Sequence, residues 1–372
     1  MKILLAGDFC PTECTDELFK TKDIKTLFAD TVTLFEGNDI NFVNMEGALT
    51  ESDAGIEKFG PCLKGTPIAA EVMKEVGINL VGLSNNHIFD YGIRGYKDTV
   101  AALNEQGIAY TGFGENYEDA RKNYYFEKNG EKIAFVCVCE SEYSYALEDR
   151  MGSRLYDCYD TIADVREAKA NADKVIVIYH GGKENCRYPS PRMRKLTHAL
   201  VDAGADLVTC QHCHCIGCTE YYKGKFICYG QGNFHFVKPL RDYYPHWPLE
   251  IVIRYDTITG EIERIPVNIN AEINGIELSK GETKENIINL MKELDQSIID
   301  GSYKQGYADY CESQREVYHD WIGRAYSENA SERIGHTAVI SNPTFNILVT
   351  MISHGDASRF SEVAVRAIAS AL

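Results

Sequence analysis

No stretch of 18 or more apolar residues occurs in this 372-residue chain, which argues against a membrane-spanning helix. No secretory leader is expected either, because MKILLAGDFC reaches the charged Asp8 before an apolar segment has run its length. Positive charge is scarce: 38 Lys and Arg stand against 55 Asp and Glu, for a net charge of −17. Such a surface repels the phosphates of nucleic acids and anionic membranes, so neither is expected as a partner. Proline is sparse at 10 residues, and no internal repeat or low-complexity segment is visible, so disordered and fibrous classes are excluded. No G-x-G-x-x-G follows a predicted strand and no Walker A sequence is present, which removes two common nucleotide cradles. Thirteen cysteines, an odd number, read as reduced thiols in a cytoplasmic protein rather than a disulfide framework.

What is present is an α/β pattern. With 44% hydrophobic and 25% charged residues, the chain can bury a large core, as one big domain plus an appendage. Short apolar runs alternate with helical patterns over the first 240 residues. KILLAG (2–7), INFVNME (40–46), INLVGLSNNH (78–87), IAYTGFG (108–114), KVIVIYHGG (174–182) and ADLVTCQHCH (205–214) predict strands. Helical periodicity covers about 16–36, 67–76, 93–106 and 190–203. Asn129-Gly130, Lys223-Gly224 and Thr259-Gly260 predict hairpin turns within 124–138, 220–230 and 249–269. Hairpins among βα units mean mixed sheets, not one parallel sheet. The chain divides into a domain over 1–270 and an extension over 271–372 that turns mostly helical from about 283.

Polar groups stand where the apolar strands end: Asp8, Asn44 and Glu46, Asn85-Asn86-His87, His180, and His212 with His214. In α/β sheets ligands bind beyond the carboxyl ends of strands. Each residue alone has an ordinary explanation: Asp8 can cap a helix, an Asn can sit in a turn, and a His can bind a loop. Five such placements at the ends of five strands favour one shared site. A carboxylate, an amide and several imidazoles suit zinc, manganese or iron, and a carboxylate can bridge two ions. On an extended strand, His212 and His214 would share one face about 7 Å apart, while Cys213 and Cys215 would face away.

These residues resemble the calcineurin-like metallophosphoesterase superfamily, and within it the bacterial capsule-synthesis branch, the CapA or PGA_cap proteins of polyglutamate capsule systems. The motifs are GDFCP (7–11), NFVNMEGALT (41–50), GINLVGLSNNHIFDYGIRG (77–95), VIVIYHGGKENCRYPSP (175–191), GADLVTCQHCHCIGC (204–218) and ICYGQGNFHF (227–236). The resemblance implies a four-layer α/β/β/α sandwich of two mixed sheets around two divalent metal ions, Mn, Zn or Fe. It implies Asp8 and His214 on the first ion, Glu46 as bridge, and Asn86, His180 and His212 on the second. It makes His87 the catalytic histidine with Asp90 orienting it, and brings Asn44 and Asn233 near the ions. Many superfamily members have Asp-x-His where this chain has Asp8-Phe9-Cys10, so Cys10 is a candidate thiolate ligand. Without that histidine, the first ion is expected to bind more weakly than the second.

A rival metal site, a structural zinc knot from Cys210, Cys213, Cys215 and Cys218, lacks a second ligand pair at the usual spacing; buried thiols are the simpler reading. Arg187 and Arg192 follow His180 and are candidates to clamp an anionic substrate. The expected activity is that of a metal-dependent phosphoesterase, with metal-activated water as nucleophile and a small anionic or polymeric substrate. The alternatives are a polyglutamate assembly factor without phosphatase activity and a metal-dependent γ-glutamyl amide hydrolase.

Overall fold

The computed structural model describes residues 1–58, 60–239 and 244–324. Two large mixed sheets lie face to face. In the first, strands run in the order Gly275–Leu278, Ile262–Asn270, Leu249–Asp256, Lys2–Phe9, Ile40–Met45, Leu80–Gly82 and Ala109–Thr111. The last four are parallel to one another and the first three are joined antiparallel. The second sheet has the order Thr219–Tyr222, Lys225–Cys228, Leu207–Gln211, Lys174–His180, Glu131–Cys139 and Tyr124–Lys128. Its inner four are parallel, with an antiparallel strand at each edge.

Alternation along the strands divides the core into two. Ile3, Leu5, Phe42, Leu80, Ile251 and Ile253 face the second sheet, where Phe135, Ile176 and Leu207 meet them. Phe42 stacks on Phe135 across the interface, with ring centroids 6.2 Å apart. Leu4, Ala6, Val43, Val81 and Val252 point the other way, onto residues of helices such as Ala69–Val76 and Gly92–Glu105. Helices Asp160–Asn171 and Pro191–Ala203 cover the outer face of the second sheet. The result is the four-layer α/β/β/α sandwich. Strand Ile40–Met45 is buried at every position, as a strand covered on both faces must be.

Past residue 270 the first sheet gains its edge strand, Gly275–Leu278, and helices Gly281–Asp300 and Tyr303–Arg324 follow. The remainder of the expected helical extension lies outside the described residues. Among the described residues no helix is long and apolar enough to cross a membrane.

Three local expectations are corrected. The helix expected over 16–36 is broken into Asp16–Lys20, Ile24–Phe28 and a 3-10 turn, Ala29–Phe35. Lys22 and Ala29 adopt positive φ, and Asp23 caps a new start by accepting from the Thr26 N–H. IAYTGFG is two strands, not one, because Gly112 turns at φ +90°. The strand expected to reach His214 ends at Gln211; His212 and His214 have φ of +88° and +52°. The His212 N–H leaves the ladder to donate to Asp8 Oδ2 at 3.0 Å. Tight turns, and not strand alternation, therefore aim the two rings.

Segment 231–235 wedges in beside strand Lys2–Phe9 where its antiparallel partner stops pairing at Leu5. The Phe234 N–H donates to the Asp8 carbonyl at 2.7 Å, and the Cys10 N–H to that of His235 at 3.2 Å. Gly7 is required there, since a Cβ would lie 2.2 Å from the Gly232 oxygen. The wedge leaves His235 fully buried among Phe9, Phe19 and Phe28, with neither ring nitrogen hydrogen-bonded. Burial pushes its pKa down to about 4, so the folded protein keeps the ring neutral while the unfolded chain binds a proton below about 6.5. Unfolding free energy should therefore fall by about 3 kcal/mol from this group as pH drops from about 6.5 to about 4. Denaturant unfolding across that range should show a shallower acid loss in His235→Leu than in wild type, whatever the variant's stability at pH 7. Parallel profiles would refute the assignment.

Candidate metal centre

The carboxyl ends of the parallel strands bring the strand-end residues together. Asp8, Glu46, Asn86, His180, His212 and His214 are all at most 5% exposed. Two overlapping groups of ligand atoms, each within 4.8 Å, are Asp8 with Glu46 and His214, and Glu46 with His180 and His212. Glu46 belongs to both.

Glu46 follows strand Ile40–Met45, and neither of its carboxylate oxygens has a hydrogen-bond partner. Its Oε1 lies 3.4 Å from His180 Nε2 and 3.9 Å from His214 Nε2. Asn86 Oδ1 is 2.9 Å from the same His180 nitrogen. Two ligand atoms each about 2.1 Å from one ion are spaced about 3.0–3.4 Å apart, so Asn86, His180 and Glu46 have the separation of ligands to one ion. The rings of His180 and His212 stand 5.0 Å apart. His212 Nδ1 is a further buried atom without a partner.

The supporting residues are hydrogen-bonded throughout. Asn44 donates through Nδ2 to Asp8 Oδ1 at 2.8 Å and lies 3.1 Å from His180 Nδ1. Asn85 is used structurally, bonding Asn44 and the Met45 carbonyl and accepting from the backbone of His87 and Ile88. His214 Nδ1 meets Asn233 Oδ1 at 2.8 Å, leaving Nε2 towards Glu46.

Charge follows the same plan. Burial would push the Glu46 carboxyl up, but His214, His180 and His87 outweigh it and hold it well below the usual carboxylate range. Burial would lower His180; the negative charges of Glu46 and Asp8 beside it instead raise it to about 9. Two sealed carboxylates thus keep a proton on His180, and a divalent cation would supply the same positive charge while displacing it. The orphaned Glu46 oxygens and His212 nitrogen fit such a cation.

His87 stands at the rim, its side chain 12% exposed against 1% for His180. Its Nδ1 is 2.7 Å from Asp90 Oδ2, which leaves Nε2 free of that contact. Asp90 also accepts from the Leu63 N–H and pairs with Lys58, whose side chain is buried. Lys58 Nζ lies 3.1 Å from His87 Nδ1 as well.

Residues 2–238 match the model of the family described as "Bacterial capsule synthesis protein PGA_cap". The chain belongs to that family. Among curated PGA_cap relatives, the "Capsule biosynthesis protein CapA" of Bacillus anthracis is 36% identical over 172 residues, 45% of this chain and 42% of that one. The "PGA biosynthesis protein CapA" of Bacillus subtilis (strain 168) is 30% identical over 240 residues, 62% of each chain. The matches thus span about half the length of these relatives. A solved "novel phosphatase" of Mycoplasma pneumoniae aligns at 14% identity and a TM-score of 0.44, over 72% of this chain and 92% of that one. That likeness is too slight to carry an argument.

In this PGA_cap chain, Cys10 and the two arginines stand apart from the ligand groups. Cys10 is buried in the outer core, its thiol pushed up by burial and by Glu46, and among the described residues no metal-type group includes a cysteine. All thirteen cysteines are free. Arg187 donates to the Ile216 carbonyl at 3.0 Å, and Arg192 is exposed in the first turn of helix Pro191–Ala203.

Sequence reasoning missed three charged residues. Glu140 and Glu142 follow strand Glu131–Cys139, and Glu140 Oε1 lies 3.2 Å from His212 Nε2. The signal was the one used elsewhere, polar residues directly after an apolar run, but the 124–138 hairpin reading stopped short of them. Lys58 lies in a loop without periodicity, and nothing local announces that it reaches Asp90.

Proposed function

We propose that this PGA_cap member is a metal-dependent phosphoesterase with two divalent ions sharing Glu46. The observation that carries the reading is the Glu46 carboxylate: fully buried, unpartnered, and common to two ligand groups. Asp8, Glu46 and His214 would hold one ion, and Glu46, Asn86, His180 and His212 the other. When bound, such ions supply Lewis acidity and an activated water. The protein's own part is to seal the ligands from solvent, to orient them through Asn44 and Asn233, and to move a proton at His87. With Nδ1 held by Asp90, His87 delivers the Nε2 proton to the leaving oxygen. The motif likeness to metallophosphoesterases supports phosphorus as the electrophile.

A second reading, cleavage or binding of a γ-linked glutamate polymer, is favoured by the name of the Bacillus subtilis relative. Metal-assisted hydrolysis extends to carbonyls. Incubation with alkyl and aryl phosphate esters, and separately with a γ-glutamyl oligomer, separates the two. The phosphoesterase reading expects phosphate release that EDTA abolishes and Mn²⁺ restores. Glutamate release without phosphate release, or binding of the oligomer without turnover, would replace it.

A further inference from the structure

The turn Glu140-Ser141-Glu142 touches every element that supplies the second ion's own ligands. Glu140 Oε1 lies 3.2 Å from His212 Nε2, and Glu140 Oε2 accepts from the Gly182 N–H at 3.3 Å. The Glu140 N–H donates to the His180 carbonyl at 3.0 Å. Glu142 Oε2 accepts from Asn86 Nδ2 at 2.9 Å. We propose that Glu140 and Glu142 are positioning residues that set the ligand faces of His212 and Asn86 and make the second metal site the tighter one. The inference rests on the two-ion reading above.

The physical reason lies in two ambiguous side chains. An imidazole can ligate through either nitrogen, and the hydrogen bond at one decides which remains for the metal. Glu140 Oε1 faces the His212 Nε2–H as its acceptor, and Nδ1 is the buried nitrogen left without a partner. A side-chain amide must turn its oxygen to the ion and its NH₂ away. Glu142 holds that NH₂, and Asn86 Oδ1 is left 2.9 Å from His180 Nε2. A carboxylate behind a ligand also raises its basicity. Behind His214 on the first ion's side the corresponding partner is a neutral amide, Asn233, and Asn44 is shared, lying beside both Asp8 and His180, so the two glutamates are what distinguishes the halves. The second half is therefore the more electron-rich, independently of Cys10.

The test is calorimetric titration of Mn²⁺ into the metal-free 372-residue chain. Wild type should show two unequal events, of which His214→Ala removes the weaker. Glu140→Ala and Glu142→Ala should each weaken the tighter event by roughly 10–100-fold and leave the weaker one unchanged. Glu140→Gln and Glu142→Gln keep an acceptor oxygen but lose the charge, and should lose about tenfold or less at the same event. These near-isosteric variants carry the test if an alanine variant fails to fold. Unchanged affinity in both glutamine variants and in any folded alanine variant would overturn the proposal, as would equal weakening of both events. Three events in wild type would also overturn it, because Glu140, Glu142 and His212 lie within 4.8 Å and would then be ligands themselves. Wild-type protein that takes up no cation would refute the two-ion reading, and the inference with it.

Discussion

Glu46→Gln is expected to empty both halves of the centre at once. In the two-ion reading every other ligand would serve one ion, whereas Glu46 belongs to both of that reading's ligand groups and neither of its oxygens has a hydrogen-bond partner. Glutamine keeps one neutral oxygen and replaces the other by an NH₂ that repels a cation. Metal content should fall from about two ions per chain to less than one, and turnover by roughly 10³-fold or more, the scale of losing Lewis-acid stabilisation of several kcal/mol. Divalent ions should also cease to raise the melting temperature, since a ligand stabilises only a fold that binds it; at 100 times Kd that contribution is about 2.7 kcal/mol. Two ions retained in Glu46→Gln would mean that the bridge lies elsewhere.

His87→Asn should have the opposite signature: full metal content and low activity. His87 belongs to no ligand group among the described residues and stands at the solvent rim beside sealed ligands. If its Nε2 delivers the leaving-group proton, turnover should drop by roughly 10²–10⁴. The loss should be largest for alkyl phosphates, whose alkoxides need a proton, and smallest for aryl phosphates with acidic leaving groups. Asp90→Asn should show a weaker form of the same pattern, because it alters the partner at Nδ1 and not the donor. Equal losses on alkyl and aryl esters would assign His87 a structural role.

Much of the candidate site was legible because its residues obey one rule. Asp8, Glu46, Asn86, His180 and His212 each stand at or just past the end of a strand that reads as an apolar run, and parallel strands present such ends to one rim. The layers were legible for a related reason: hairpin turns at Asn129-Gly130 and Thr259-Gly260 declare antiparallel edges on otherwise parallel sheets. What escaped depends on contacts distant in sequence. The positive φ at His212 answers to Asp8, 204 residues away. Lys58 matters through Asp90, 32 residues on. Cys10 shows the converse hazard: a liganding residue type next to a motif position, placed by the fold in an apolar core.

Anomalous diffraction at the manganese edge, from crystals grown with Mn²⁺, tests the central claim most directly. The account predicts two peaks about 3.5–4 Å apart on either side of the Glu46 carboxylate. One should lie within bonding distance of Asp8 and His214, and the other of Asn86, His180 and His212. No peak at Glu46, or a single one bound without it, would contradict the account.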